Sequence, residues 1–210
     1  MEISLKFQIS GLYAVTPDEP NTAELLRKVR LALQGGARVI QYRNKRADEL
    51  LRLEQAEALR VLTREFSVPL IVNDDALLAR RVDADGVHLG GEDGSVAAAR
   101  AVLGGDKIIG VSCYNQLSLA YQAVSAGADY VAFGSFFVST VKPDAVAATP
   151  DLLRQARREL AVPLVAIGGI TVQNGAQLVT AGAHALAVIS AVFGAADIQD
   201  AARQFSDLKF

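Results

Sequence analysis

The chain has one cysteine, Cys113, and therefore no partner with which to close an intrachain disulfide. That suits a reducing compartment. It also lacks a basic excess, with 21 Lys and Arg against 23 Asp and Glu, a net charge of −2 and a pI of about 5.7. This balance argues against a nucleic-acid partner, and the absence of any block of like charge argues against an anionic membrane surface. Long apolar runs are missing too. The most apolar late segment, 183–196, is too short for a spanning helix and contains His184. The first residues, Met1-Glu2-Ile3-Ser4-Leu5-Lys6, lack the basic start and apolar core of a secretory signal. The expectation is a soluble cytoplasmic protein. No linker or low-complexity stretch interrupts the 210 residues, so the chain reads as one domain over 1–210.

Hydrophobic residues make up 51% of the chain, and the mean hydropathy is +0.25. That is enough apolar surface for a large core. One pattern repeats along it: a short β-branched run, a turn with Gly, Asp or Asn, then an amphipathic stretch. Strands are predicted over 11–16, 37–43, 69–73, 85–89, 107–112, 129–134, 163–168 and 184–190, with a helical stretch after each. Several helices end in Gly-Ala and pass at once into a strand, as at Gly35-Gly36-Ala37, Gly127-Ala128 and Gly182-Ala183. Val68-Pro69 and Val162-Pro163 block helix and open strands. Eight strand–helix units predict a single (β/α)8 TIM barrel. The rival, an open doubly wound sheet, often carries Gly-x-Gly-x-x-Gly after its first strand; here that strand ends Val15-Thr16-Pro17-Asp18.

In such a barrel the active site lies at the C-terminal ends of the strands. The second strand ends in Gln41-Tyr42-Arg43-Asn44-Lys45. With period two, Gln41, Arg43 and Lys45 share a face, and two cations with an amide can grip a polyanion. The bland alternative is an exposed basic end paired with Asp48 and Glu49. The third strand ends Asn73-Asp74-Asp75 and the fourth Leu89-Gly90-Gly91-Glu92-Asp93. Asp75 reads as a helix N-cap. Asp74 and Asp93, from adjacent strands, can converge on Mg²⁺, which completes its shell with phosphate oxygens; a competing reading makes Asp93 an N-cap. The fifth strand ends Gly110-Val111-Ser112. The sixth leads into the longest loop, 135–149, where Ser139, Thr140 and Lys142 could form a lid. Gly168-Gly169 and Ile189-Ser190, after the last two strands, sit where this fold usually holds phosphate. His88 reads as a core histidine, His184 as solvent-facing, and Cys113 as a buried, inert thiol.

These motifs together resemble the thiamine phosphate synthase family, nearly end to end and in order. The resemblance implies condensation of 4-amino-5-hydroxymethyl-2-methylpyrimidine diphosphate with thiazole phosphate, giving thiamine phosphate and pyrophosphate. It further implies that Gln41, Arg43, Lys45, Asn73, Ser112 and Lys142 hold the pyrimidine diphosphate. Asp74 and Asp93 would hold Mg²⁺, and Gly169, Ile189 and Ser190 the thiazole phosphate. Arg43, Lys45, Ser112 and Lys142 are the catalytic candidates, with Ser139 and Thr140 as further substrate contacts. One departure is Val141, where the family's loop carries threonine before the lysine. The alternatives are a thiazole tautomerase and a non-catalytic barrel that binds phosphorylated metabolites.

Overall fold

A computed structural model of the protein describes residues 8–91, 93–137 and 147–210. Eight parallel strands close into a barrel in sequence order: β1 Gly11–Val15, β2 Val39–Tyr42, β3 Leu70–Asn73, β4 Gly86–Leu89, β5 Ile108–Tyr114, β6 Tyr130–Phe133, β7 Leu164–Ile167 and β8 Ala185–Val188. Closure is made where Leu12 of β1 stands beside Leu186 of β8. The helices are α1 Thr22–Gln34, α2 Glu49–Glu65, α3 Ala76–Arg81, α4 Val96–Leu103, α5 Leu117–Ser125, α6 Pro150–Glu159, α7 Val172–Thr180, α8 Ser190–Phe193 and α9 Ile198–Ser206. The strand predicted over 184–190 ends at Val188, and the four-residue α8 begins at Ser190, in a stretch to which the sequence assigns no element of its own. No helix among the described residues is long and apolar enough to cross a membrane.

Local chemistry starts and stops these elements. Asn21, Asp48, Asp75, Ser95, Thr171 and Asp197 each accept a backbone N–H of the first turn of the helix they precede. After α1, α5 and α7 the chain reverses through Gly36, Gly127 and Gly182, at φ of 98°, 93° and 114°. Strand alternation then sorts the apolar residues into two clusters. Leu12, Ile40, Leu70, Val87, Ile109, Val131, Leu164 and Leu186 face the helices, whereas Tyr13, Val39, Ile71, Ile108, Tyr130 and Val165 fill the barrel.

A repeated bond pins the barrel floor. Asp85, just before β4, accepts the N–H of Leu70 at 2.8 Å and pairs with Arg60 at 2.6 Å. Asp129, just before β6, accepts the N–H of Ile109 at 2.8 Å and pairs with Arg100 at 2.7 Å. His184, just before β8, does the same for Leu164, at 2.9 Å through Nδ1. The expectation that His184 faces solvent is therefore corrected: it is half-buried and tied to β7. Burial, and then the nearby Arg157, lower its pKa, which keeps Nδ1 available as an acceptor.

Candidate active site at the barrel mouth

At the end of β2, Gln41 turns into the barrel and Tyr42 outward, where its hydroxyl donates to Gln55 at 2.9 Å. The parity read from the sequence holds for these two residues; Arg43 and Lys45 lie beyond the end of the strand. Arg43 and Lys45 do not pair with Asp48, whose carboxylate caps α2. Instead Asp18, at the end of β1, accepts from the Arg43 guanidinium at 3.1 Å and from the Lys45 backbone N–H at 2.9 Å. The Thr16 hydroxyl bridges the Arg43 backbone, donating to its carbonyl and accepting its N–H, both at 2.8 Å. Thr16 and Asp18 thus shape the cationic turn, although the sequence reading gave them no role. The same strand-end rule applied to β1 would have found them.

Asp74 follows β3 in the left-handed region, at φ 65°, a conformation that Asp and Asn tolerate better than most residues. Its backbone N–H donates to the His88 carbonyl at 2.8 Å, so β4 fixes its position. Asp93 is not an N-cap; Ser95 caps α4. The Asp93 carboxylate turns back to accept the Gly90 N–H at 2.8 Å. A Cβ on Gly90 would lie 2.4 Å from that oxygen and 4.0 Å from an Asp74 oxygen, so the two carboxylates flank one glycine. Lys45 Nζ lies 3.5 Å from the other Asp74 oxygen. Burial, followed by a hydrogen bond to Asp93 and repulsion from it, raises the Asp74 pKa, and Lys45 opposes this only in part. Two carboxylates facing one lysine leave local negative charge that a hard divalent cation would relieve, so the donor set fits Mg²⁺. Among the described residues, no three His, Cys, Asp or Glu side chains form a metal cluster. Waters and substrate would have to supply the remaining ligands. A cleft of about 380 Å³ opens on the Asp74 side, between the ends of β2 and β3, lined by Tyr42, Arg43, Asn44, Lys45, Asn73 and Asp74 among others.

The end of β5 carries Ser112, half-buried, whose Oγ lies 2.9 Å from His88 Nε2. Beyond it the register shifts, and Tyr114 takes φ 51°. Its hydroxyl then meets the N–H of Gly91 at 3.2 Å, in the loop that carries Asp93. Cys113 points away and is fully buried, and burial pushes its thiol up to about 12. Treatment of the folded protein with iodoacetamide is expected to leave Cys113 unmodified, which mass spectrometry before and after unfolding checks.

Across the mouth, Gly168 and Gly169 take φ of 102° and 63° in succession. A Cβ on Gly168 would lie 2.7 Å from Ser135 Cα, so the turns after β6 and β7 touch through this glycine. Ile189 and Ser190 enter α8, with Ser190 exposed at its first position. Ser139, Thr140, Val141 and Lys142 lie outside the described residues, as does Glu92. The remaining candidates, Gln41, Arg43, Lys45, Asn73, Asp74, Asp93, Ser112, Gly169, Ile189 and Ser190, all follow or end barrel strands on one rim.

Comparison with known proteins agrees with this geometry. The thiamine monophosphate synthase family model matches residues 12–192. The thiamine-phosphate synthase of Methylobacillus flagellatus is 58% identical over 200 residues, covering 95% of each chain. That of Nitrosospira multiformis is 53% identical over 201 residues, covering 96% of this chain and 86% of its own. Among solved structures, a thiamine phosphate pyrophosphorylase from Pyrococcus furiosus superposes with a TM-score of 0.86 at 36% identity, covering 99% of this chain and 97% of its own. Strand ends, spacing and full-length similarity agree, and the chain belongs to the thiamine monophosphate synthase family.

Proposed function

We propose that this barrel mouth joins 4-amino-5-hydroxymethyl-2-methylpyrimidine diphosphate to thiazole phosphate and releases pyrophosphate. The observation that carries the reading is the split of the rim. Arg43, Lys45, Asp74 and Asp93 gather at the ends of β2 to β4, while Gly168, Gly169 and Ser190 lie at the ends of β7 and β8. Two anion sites call for two phosphorylated substrates, and cations with a carboxylate pair at only one of them mark that phosphate as the leaving group. A tautomerase or a passive binder would need neither the cations nor the carboxylate pair.

Arg43, oriented by Asp18, offers its planar fork to the diphosphate, and Lys45 adds a point charge. Asn73 and Ser112 supply neutral donors on either side. Asp74 and Asp93 hold Mg²⁺, which when bound neutralises charge on the leaving diphosphate. The bond between the pyrimidine methylene and the diphosphate oxygen breaks, and its electron pair leaves with pyrophosphate. The thiazole nitrogen supplies the pair for the new C–N bond, so no protein nucleophile is required. The pyrimidine's own amino group stabilises the cation between these two events. Gly169, Ile189 and Ser190 orient the thiazole by its phosphate, which places the nitrogen for capture. Lys142, together with Ser139 and Thr140, completes the diphosphate site in this reading. A cytoplasmic setting fits the free, buried thiol of Cys113.

The two-site reading is tested by Ser190→Asp. A carboxylate there repels one phosphate and lies across the mouth from the other, so KM for thiazole phosphate should rise roughly tenfold or more. KM for the pyrimidine diphosphate should change little. Equal effects on both constants would mean that the substrates do not occupy separate ends of the rim.

A further inference from the structure

The interior of such a barrel is normally packed with branched apolar side chains, yet an unbroken line of polar groups crosses this one. Gln41 Nε2 donates to the Tyr13 hydroxyl at 2.8 Å. The Tyr13 and Tyr130 hydroxyls are 2.8 Å apart, Tyr130 OH is 2.9 Å from His88 Nδ1, and His88 Nε2 is 2.9 Å from Ser112 Oγ. Tyr13 and Tyr130 are fully buried, and Gln41 and His88 nearly so. Space is reserved for the line: a Cβ on Gly110 would lie 1.9 Å from Tyr130 Cζ. Buried phenols and imidazoles are costly unless each hydrogen finds an acceptor, so the direction of every bond matters.

That direction follows from one end. The Gln41 amide nitrogen can only donate. Tyr13, accepting there, passes its single hydrogen to Tyr130, which passes its own to His88 Nδ1. A neutral imidazole that accepts at Nδ1 carries its hydrogen on Nε2 and donates it to Ser112 Oγ. Ser112 therefore keeps its own hydrogen free for the mouth. At the other end, Gln41 Oε1 has no partner among the described residues and remains an acceptor for the pyrimidine amino group.

We propose that Gln41, Tyr13, Tyr130 and His88 form a polarity relay that fixes Ser112 as a hydrogen-bond donor to the departing diphosphate, with Tyr130 and His88 as positioning residues. The proposal rests on the reaction assigned above. It reverses what the Ser112–His88 contact suggests alone: His88 cannot take the Ser112 proton, so Ser112 is not a nucleophile. Docking of the pyrimidine amino group on Oε1 holds the Gln41 amide in one orientation, so binding the substrate at one end sets the donor at the other.

The test begins without substrate. The chain has two histidines, so ¹⁵N spectra of the native enzyme and of His88→Gln assign both rings by difference. His88 is expected as the neutral tautomer protonated on Nε2 at neutral pH. Protonation on Nδ1, or a cationic ring, would overturn the relay whatever the reaction. In kinetics, Tyr130→Phe should lower kcat roughly tenfold, the size of one lost hydrogen bond, with KM little changed. Tyr13→Phe, which breaks the line one step earlier, should do the same if Tyr130→Phe folds poorly. His88→Gln, whose amide nitrogen can stand in for Nε2–H, should recover most of the activity that His88→Leu loses. An unchanged kcat in both phenylalanine variants, or no difference between the His88 variants, would reduce the line to a packing feature and defeat the proposal. A native enzyme that shows the Nε2 tautomer but turns over neither substrate would instead refute the assigned reaction, and with it the role given to Ser112.

Discussion

Asp74→Asn is expected to melt higher than the native protein without metal, yet turn over roughly 10²-fold more slowly or worse. Both effects have one cause. Folding raises the Asp74 pKa, through burial and then the facing Asp93 carboxylate. A raised carboxyl pKa favours the folded state while the group is protonated, and that benefit is lost as pH rises through the folded value. At neutral pH the ionised Asp74 therefore destabilises the metal-free barrel. Asn removes the charge and tolerates the left-handed backbone at φ 65°. Mg²⁺ should then raise the Tm of the native protein at neutral pH, by less as pH falls through the raised pKa of Asp74, and should leave the variant unmoved. Asp93→Asn should lose the Mg²⁺ response in the same way. Thermal melts with and without Mg²⁺ decide this. Equal Mg²⁺ shifts in native and variant proteins would remove the metal from these carboxylates.

Arg43→Ala should lower kcat/KM for the pyrimidine diphosphate by roughly 10²–10³-fold, the loss of two charge-assisted hydrogen bonds to one oxyanion group. The fold should survive, because Asp18 still accepts the Lys45 N–H and Thr16 still bridges the backbone at residue 43. Arg43→Lys should recover about tenfold of that loss, since lysine restores the charge without the planar fork. KM for thiazole phosphate should be nearly constant across the three proteins. Steady-state kinetics with each substrate varied in turn checks both points. A lysine variant that matches the native enzyme would mean that Arg43 acts only as a charge.

The cationic turn and the carboxylate pair were legible in the sequence because they follow apolar runs, and a barrel puts every such end on one rim. The caps were legible for a local reason: Asp75 and the glycines after helices act within a few residues of themselves. The misses were long-range. Tyr13 and Tyr130 are 117 residues apart, and nothing along the chain shows that their hydroxyls meet inside the barrel. His88 was read correctly as a core residue, but its bond to Ser112 needed the registration of β4 with β5. His184 was misread because a residue beside a turn is usually exposed, whereas here strand closure draws its ring onto β7. The role of Asp18 is not legible because its partners, Arg43 and the Lys45 N–H, lie 25 and 27 residues further along the chain. α8 escaped because four residues are too few to show a helical period.

In the proposed reaction one rim binds two phosphorylated substrates and expels pyrophosphate from one as the other attacks. Pyrophosphate release measured alongside thiamine phosphate formation tests it most directly, with each substrate alone and with both, in the presence and absence of Mg²⁺. One pyrophosphate per thiamine phosphate is expected, only with both substrates and Mg²⁺ present. Pyrophosphate released at the same rate without the thiazole phosphate, or none released with everything present, would contradict it.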